Sequence, residues 1–134
     1  MFISRECDYS VRIIRELADG TKKTAEDIST KERISYQFSY KILKKLETSG
    51  LVRVYRGVQG GYALTKSVDT ITLYDVFTAI EDQVFITACL QSGFACPMNQ
   101  NGHPCTVHKE FMRLQEILMA SMKEKTLAQI FSGM

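Results

Sequence analysis

The chain has no tryptophan, only two prolines, and no apolar run approaching the roughly 20 residues of a membrane span. A membrane partner is therefore not expected. The stretch from Met1 to Asp8 lacks the apolar segment of a signal peptide, so the expected location is the cytoplasm. In that compartment four cysteines read as thiols or metal ligands rather than disulfides. There is no Cys-x2-Cys pair, no nucleotide-binding glycine fingerprint and no acid–base pair in a pocket-forming context. Those absences argue against a small redox enzyme or electron carrier, and no enzyme activity is expected. A net charge of +2 points to no partner by itself.

What is present is the composition of one folded domain. With 134 residues, 45% hydrophobic and 24% charged, the chain is long enough to bury a core without staples and is neither disordered nor collagen-like. The modest charge hides an asymmetry. Residues 1–66 carry 13 Lys and Arg against 8 Asp and Glu, a net of +5; residues 67–134 carry 4 against 7, a net of −3. Cysteine is skewed the other way: Cys89, Cys96 and Cys105 share one window with both prolines, Pro97 and Pro104, and Cys7 stands alone near the start.

Periodicity predicts a helix from Arg5 to Asp19, stopped by Gly20, on the recurrence of Cys7, Val11, Ile14 and Ala18. A short second helix begins at Thr24, where Thr24 and Asp27 resemble a capping box, and ends near Lys31. A third follows Ser35 and runs to Ser49, before Gly50. Leu51 to Arg56 and Tyr62 to Thr65 read as strands around the turn Gly57-Val58-Gln59-Gly60-Gly61. Three helices and then a hairpin is the order of a winged helix-turn-helix. Further helices are predicted over Leu73–Ile80, capped by Thr72, and over Thr106–Lys123, with a short turn at Leu127, Ile130 and Phe131. The fold class expected is mainly α with a small β-hairpin wing. Residues 1–66 form the DNA-binding region and residues 67–134 the cysteine loop and a long C-terminal dimerisation helix, packed as one domain.

The third helix has the chemistry of a DNA reader. Phe38, Ile42, Leu43 and Leu46 would face the core, leaving Gln37, Tyr40, Lys41 and Lys44 on the other side. Amides and hydroxyls can pair with base edges, and lysines neutralise phosphates. Arg53 and Arg56 flank the wing.

Ile34-Ser35, Gly50-Leu51-Val52 and Arg56-Gly57-x-x-Gly60-Gly61-Tyr62 together resemble the Rrf2 family of winged-helix regulators, from the opening Tyr9-x-x-Arg12 helix to the final long helix. The resemblance implies a homodimeric transcriptional regulator, a repressor in the usual case, that binds a palindromic operator on duplex DNA. It puts the third helix in the major groove, from Ser35 and Tyr36 onward, and Arg56 in the adjacent minor groove. Phe38-Ser39-Tyr40 departs from the Tyr-Leu-Glu of one group of members, so DNA binding is carried over but not the operator sequence.

The cysteine window reads Cys89-x6-Cys96-x8-Cys105-x2-His108. Three thiols and an imidazole on a Gly- and Pro-containing loop can converge on one metal centre, and thiolates favour iron–sulfur clusters or zinc over hard ions. Spacing alone leaves both open; a zinc-stabilised winged-helix module for protein contact is the alternative reading. The family resemblance implies an iron–sulfur cluster, [2Fe–2S] or [4Fe–4S], sensing iron–sulfur status, nitric oxide or redox stress, with Cys89, Cys96 and Cys105 as ligands. His108 matches the fourth ligand of one group of members. Asp8 matches a carboxylate that another group donates across the dimer. His103 reads as a surface loop residue and Cys7 as a small core residue. Val107, Phe111, Leu114 and Leu118 follow a 4-3-4 apolar rhythm suited to a two-stranded dimer seam.

Overall fold

The structure is a computed structural model that describes residues 3–99 and 105–133. Gly102, His103 and Pro104 lie outside the described residues.

Ser4 opens α1 (Arg5–Glu16), its hydroxyl accepting from the Cys7 N–H at 3.2 Å. Cys7, Ile13 and Ile14 line the buried side of the helix, and Leu17 at its C-cap is equally buried. The helix stops a turn short of the predicted Asp19. There the Asp19 carboxylate accepts from the Thr21 N–H at 2.9 Å and its hydroxyl at 2.8 Å. Such a short polar side chain offers the backbone an alternative to helical bonding.

Thr24 caps α2 (Ala25–Glu32), though only its own half of the expected capping box is formed. Three residues then lead into α3 (Tyr36–Thr48), with the Ser35 hydroxyl accepting from the Phe38 N–H at 3.2 Å. This pair is the helix-turn-helix. The wing follows as β1 (Val52–Tyr55) and β2 (Gly61–Leu64), antiparallel, with Val52 opposite Leu64 and Tyr55 opposite Gly61. Lys23 adds a backbone bridge to Tyr62, with N···O distances of 2.9 and 2.8 Å. Glycine is required at the turn. A Cβ on Gly60 would lie 2.4 Å from the Tyr55 carbonyl oxygen, and one on Gly61 would lie 2.9 Å from that of Lys23.

Beyond a 3-10 turn at Val68–Thr70, α4 (Leu73–Ile80) starts at Thr72, where Thr72 and Asp75 complete a reciprocal capping box. A second 3-10 turn, Ala88–Leu90, carries Cys89. Then come α5 (Thr106–Met122) and α6 (Leu127–Phe131). The Leu127 N–H donates to the Ile71 carbonyl at 2.7 Å, tying the chain's end to the start of α4. One apolar cluster holds these elements. It takes Ile13 and Ile14 from α1, Ile28 from α2, Ile42, Leu43 and Leu46 from α3, and Val76, Met122 and Leu127 from the rear half. Each such aliphatic side chain contributes about 1.5–3 kcal/mol of transfer free energy when fully buried. Both halves of the sequence therefore share one core.

Candidate functional site

The core contacts of α3 decide which side chains it offers outward. Ile42, Leu43, Leu46 and Ser39 are buried, and Phe38 is half-buried with its ring edge-on to Tyr9 at a centroid distance of 5.3 Å. That orientation leaves Gln37, Tyr40, Lys41 and Lys44 exposed along one side, as the spacing predicts, and Tyr36 is exposed in the first turn. The rings of Tyr36 and Tyr40 lie nearly parallel, with centroids 6.4 Å apart. Ser35 is exposed at the helix start, with its hydroxyl oxygen engaged in the cap. Arg53 and Arg56 are exposed on the wing.

Two carboxylates that periodicity does not signal tie α1 to its neighbours, one to α3 and one to α2. Glu6, in the first turn of α1, receives Lys41 at 2.7 Å and Lys45 at 2.6 Å. The Lys41 hydrogen bond, then that of Lys45, holds the Glu6 carboxyl below the usual carboxylate range. Glu32, on α2, is almost wholly buried and receives Arg15 at 2.7 Å and Arg12 at 3.3 Å; Arg12 also donates to the Glu32 carbonyl. The second carboxylate locks α2 against α1. No local pattern marks either pair, because the partners are 17 to 39 residues apart.

In the cysteine window, Cys89, Cys96 and Cys105 are half-exposed and unbridged. Cys105 is the N-cap of α5, and its N–H donates to Asn99 Oδ1 at 2.8 Å. Cys89 and His108 line one cavity of about 360 Å³, closed on the α5 side by Met112, Gln115 and Glu116. His108 Nδ1 is buried with no hydrogen-bond partner among the described residues, an arrangement that needs an explanation in a folded protein. Cys96 and Cys105 do not line that cavity, and Asp8 lies elsewhere, exposed on α1 and 3.8 Å from Arg12. Among the described residues no three His, Cys, Asp or Glu side chains are gathered to hold a metal. The protomer thus brings together two of the five candidate ligands. A thiol and an unpartnered imidazole are donors that suit an iron–sulfur cluster or zinc rather than a hard ion.

Cys7 is in the core, 3% exposed, with its sulfur 3.8 Å from Glu81 Oε1. Burial pushes its thiol up, so it is a poor ligand.

The apolar stripe expected to form a dimer seam is divided. Val107, Leu114 and Ile117 are 55, 40 and 50% exposed, and Phe111 is half-buried. Leu118, expected in the same seam, instead packs with Met119 against its own core, one turn before the buried Met122. Gln115 is a further residue that the apolar rhythm does not signal. Its side chain bonds both the Val84 carbonyl, at 2.6 Å, and the Ile86 N–H, at 2.9 Å.

Residues 3–133 match the Rrf2 family, described as an iron-dependent transcriptional regulator. The HTH-type transcriptional regulator IscR of Yersinia pseudotuberculosis serotype O:1b is 33% identical over 129 residues, covering 93% of this chain and 76% of that protein. The IscR of Erwinia tasmaniensis is 34% identical over 107 residues, covering 80% of this chain and 62% of that one. Among solved structures, CymR, the global cysteine regulator of B. subtilis, superposes with a TM-score of 0.77 at 21% identity, covering 98% of this chain and 97% of its own. T. potens IscR superposes with a TM-score of 0.73 at 19% identity, covering 98% and 86%. With the winged helix and the match over nearly its whole length, the chain belongs to the Rrf2 family of DNA-binding transcriptional regulators and is not an enzyme.

Proposed function

We propose that this regulator is a cytoplasmic homodimeric repressor that reads a palindromic operator and whose affinity is controlled by an iron–sulfur cluster. The observations that support the reading are that Cys89 and His108 line one cavity and that His108 Nδ1 is buried without a hydrogen-bond partner among the described residues. Cys89, Cys96, Cys105 and His108 would hold the cluster, with Asp8 from the second protomer as the other fourth donor. When bound, the cluster supplies a centre that iron limitation, nitric oxide or oxidants can alter. The chain's own residues do the rest. Tyr36, Gln37, Tyr40, Lys41 and Lys44 face the major groove, Arg56 reaches the minor groove, and the Ser35 cap fixes the start of the reader. Two copies joined along Val107, Phe111 and Leu114, extended by Ile117, set the half-site spacing.

Cysteines on the loop that leads into α5 place any change in ligation beside the dimer helix. Loading shifts operator affinity only by the difference in cluster affinity between the two dimer arrangements. The test is the anaerobic visible and electron-paramagnetic spectrum with iron and sulfide counts, followed by operator binding of loaded and cluster-free protein. A brown protein whose absorption disappears with nitric oxide, and whose DNA affinity changes with it, is the expected result. A colourless anaerobic protein with stoichiometric zinc overturns the cluster.

A further inference from the structure

We propose that Glu6 is a positioning residue that withholds Lys41 of the reader helix from the DNA backbone, acting as an internal stand-in for a phosphate. The proposal rests on the reading that α3 is the DNA-contacting helix. Glu6 receives Lys41 Nζ at 2.7 Å on one carboxylate oxygen and Lys45 Nζ at 2.6 Å on the other. The two lysines are one helical turn apart, so a single carboxylate spans the pair. Lys45 is also 3.5 Å from the Ile80 carbonyl, which anchors it on the inner side. Lys41 is the outer member, with its side chain 58% exposed. Lys44, by contrast, has no acidic partner among the described residues.

An ammonium paired this closely is not free to neutralise a phosphate, and the paired carboxylate adds a negative charge where the DNA backbone would pass. Room for exchange exists. A cavity of about 770 Å³ lies beside the pair, lined by Tyr40, Lys41, Lys44 and Lys45 on the α3 side and by Glu81 and Asp82 beyond α4. Lys41 can leave Glu6 without disturbing the core, because the buried residues of α3 lie on its other face. Glu6 therefore sets how many phosphates each protomer neutralises. Phosphate contacts carry no sequence information, so this tuning acts on all duplexes alike: it lowers overall affinity and its salt dependence and leaves the ratio of operator to background binding to the base contacts.

The experiment measures binding of a mixed-sequence duplex by the full chain over a series of salt concentrations. It compares wild type with Glu6→Gln, Lys41→Met and the double variant. Glu6→Gln should bind several-fold more tightly at low salt, with a salt slope steeper by about 0.9 per protomer, the increment of one added phosphate contact. The gain should depend on Lys41: in the Lys41→Met background, Glu6→Gln should neither tighten binding nor steepen the slope. Glu6→Ala, with thermal unfolding of each variant, separates the effect from a folding defect and should reproduce the steeper slope. Unchanged affinity and slope overturn the proposal while leaving DNA binding by α3 intact. So does tighter binding with an unchanged slope, which would reflect lost repulsion alone. A wild type that binds no duplex at any salt overturns both this proposal and the reading beneath it.

Discussion

The Gln115 side-chain amide donates to the Val84 carbonyl at 2.6 Å, while its oxygen accepts from the Ile86 N–H at 2.9 Å. One residue of α5 thus closes both backbone groups of the segment that leads to Cys89. Replacing it with alanine leaves that N–H and that carbonyl without their partner, at a cost of about 1–3 kcal/mol locally. Amide exchange at Ile86 and its neighbours should speed up by at least tenfold, while that of Ile42 in the core stays unchanged. Equal acceleration at both sites would mean a general loss of stability instead.

Cys96→Ala and Cys105→Ala should each abolish visible absorption after anaerobic purification and still give a folded dimer. Both thiols are half-exposed, so neither substitution opens a core cavity. Wild-type spectra in either variant would remove that residue from the ligand set.

Arg56→Ala should weaken operator binding by about 1–3 kcal/mol if the guanidinium makes a base-specific contact. Its side chain is exposed on the wing, so the unfolding midpoint should not move with it. Equal affinity by fluorescence anisotropy would take the wing out of recognition.

A charge in the exposed seam should separate the protomers. Leu114→Glu puts a carboxylate at a site 40% exposed in the single chain, where burial against a second copy would leave it unpaired and costly. Sedimentation should show a monomer with unchanged helix content. Leu118→Glu should unfold the chain, because Leu118 packs against the core of its own protomer.

Asp19 gives the acid limb of stability a specific marker. The Thr21 N–H and hydroxyl, and then Lys23, hold its carboxyl down from 3.8 to about 2. A folded-state value below the unfolded one means the bonded carboxylate stabilises the fold above pH 3.8, and that this contribution is lost as the pH falls through about 2. Carboxyl NMR should find the Asp19 midpoint near 2, and Thr21→Ala should raise it.

Local chemistry made much of this molecule legible before any coordinates. Thr72 and Ser35 cap helices where a cap was expected, and α4 begins and ends on the predicted residues, because capping and apolar spacing are decided within one or two turns. The shortened end of α1 was missed because Asp19 bonds Thr21 just beyond it, which periodicity does not report. Glu6, Glu32 and Gln115 were invisible for a different reason. Each acts on groups that only the tertiary fold brings near, and a lone Glu or Gln at a helix surface looks like any solvated side chain. Leu118 shows the same limit. A heptad-like rhythm cannot say whether an apolar residue meets its own domain or another copy.

The backbone tie between Leu127 and Ile71 gives α5 a mechanical character. Its C-terminal end is pinned, with Met122 buried and α6 fastened to the start of α4. Its N-terminal half carries Cys105 and, through the Gln115 clasp, holds the segment at Val84 and Ile86. With 17 residues, the helix is a lever arm about 25 Å long with its fulcrum at the core. A pivot of about 5° would carry the cysteine end through roughly 2 Å over such a length. In the proposed dimer, a small rearrangement at the loop would change the angle between the two copies, and so the distance between their α3 helices.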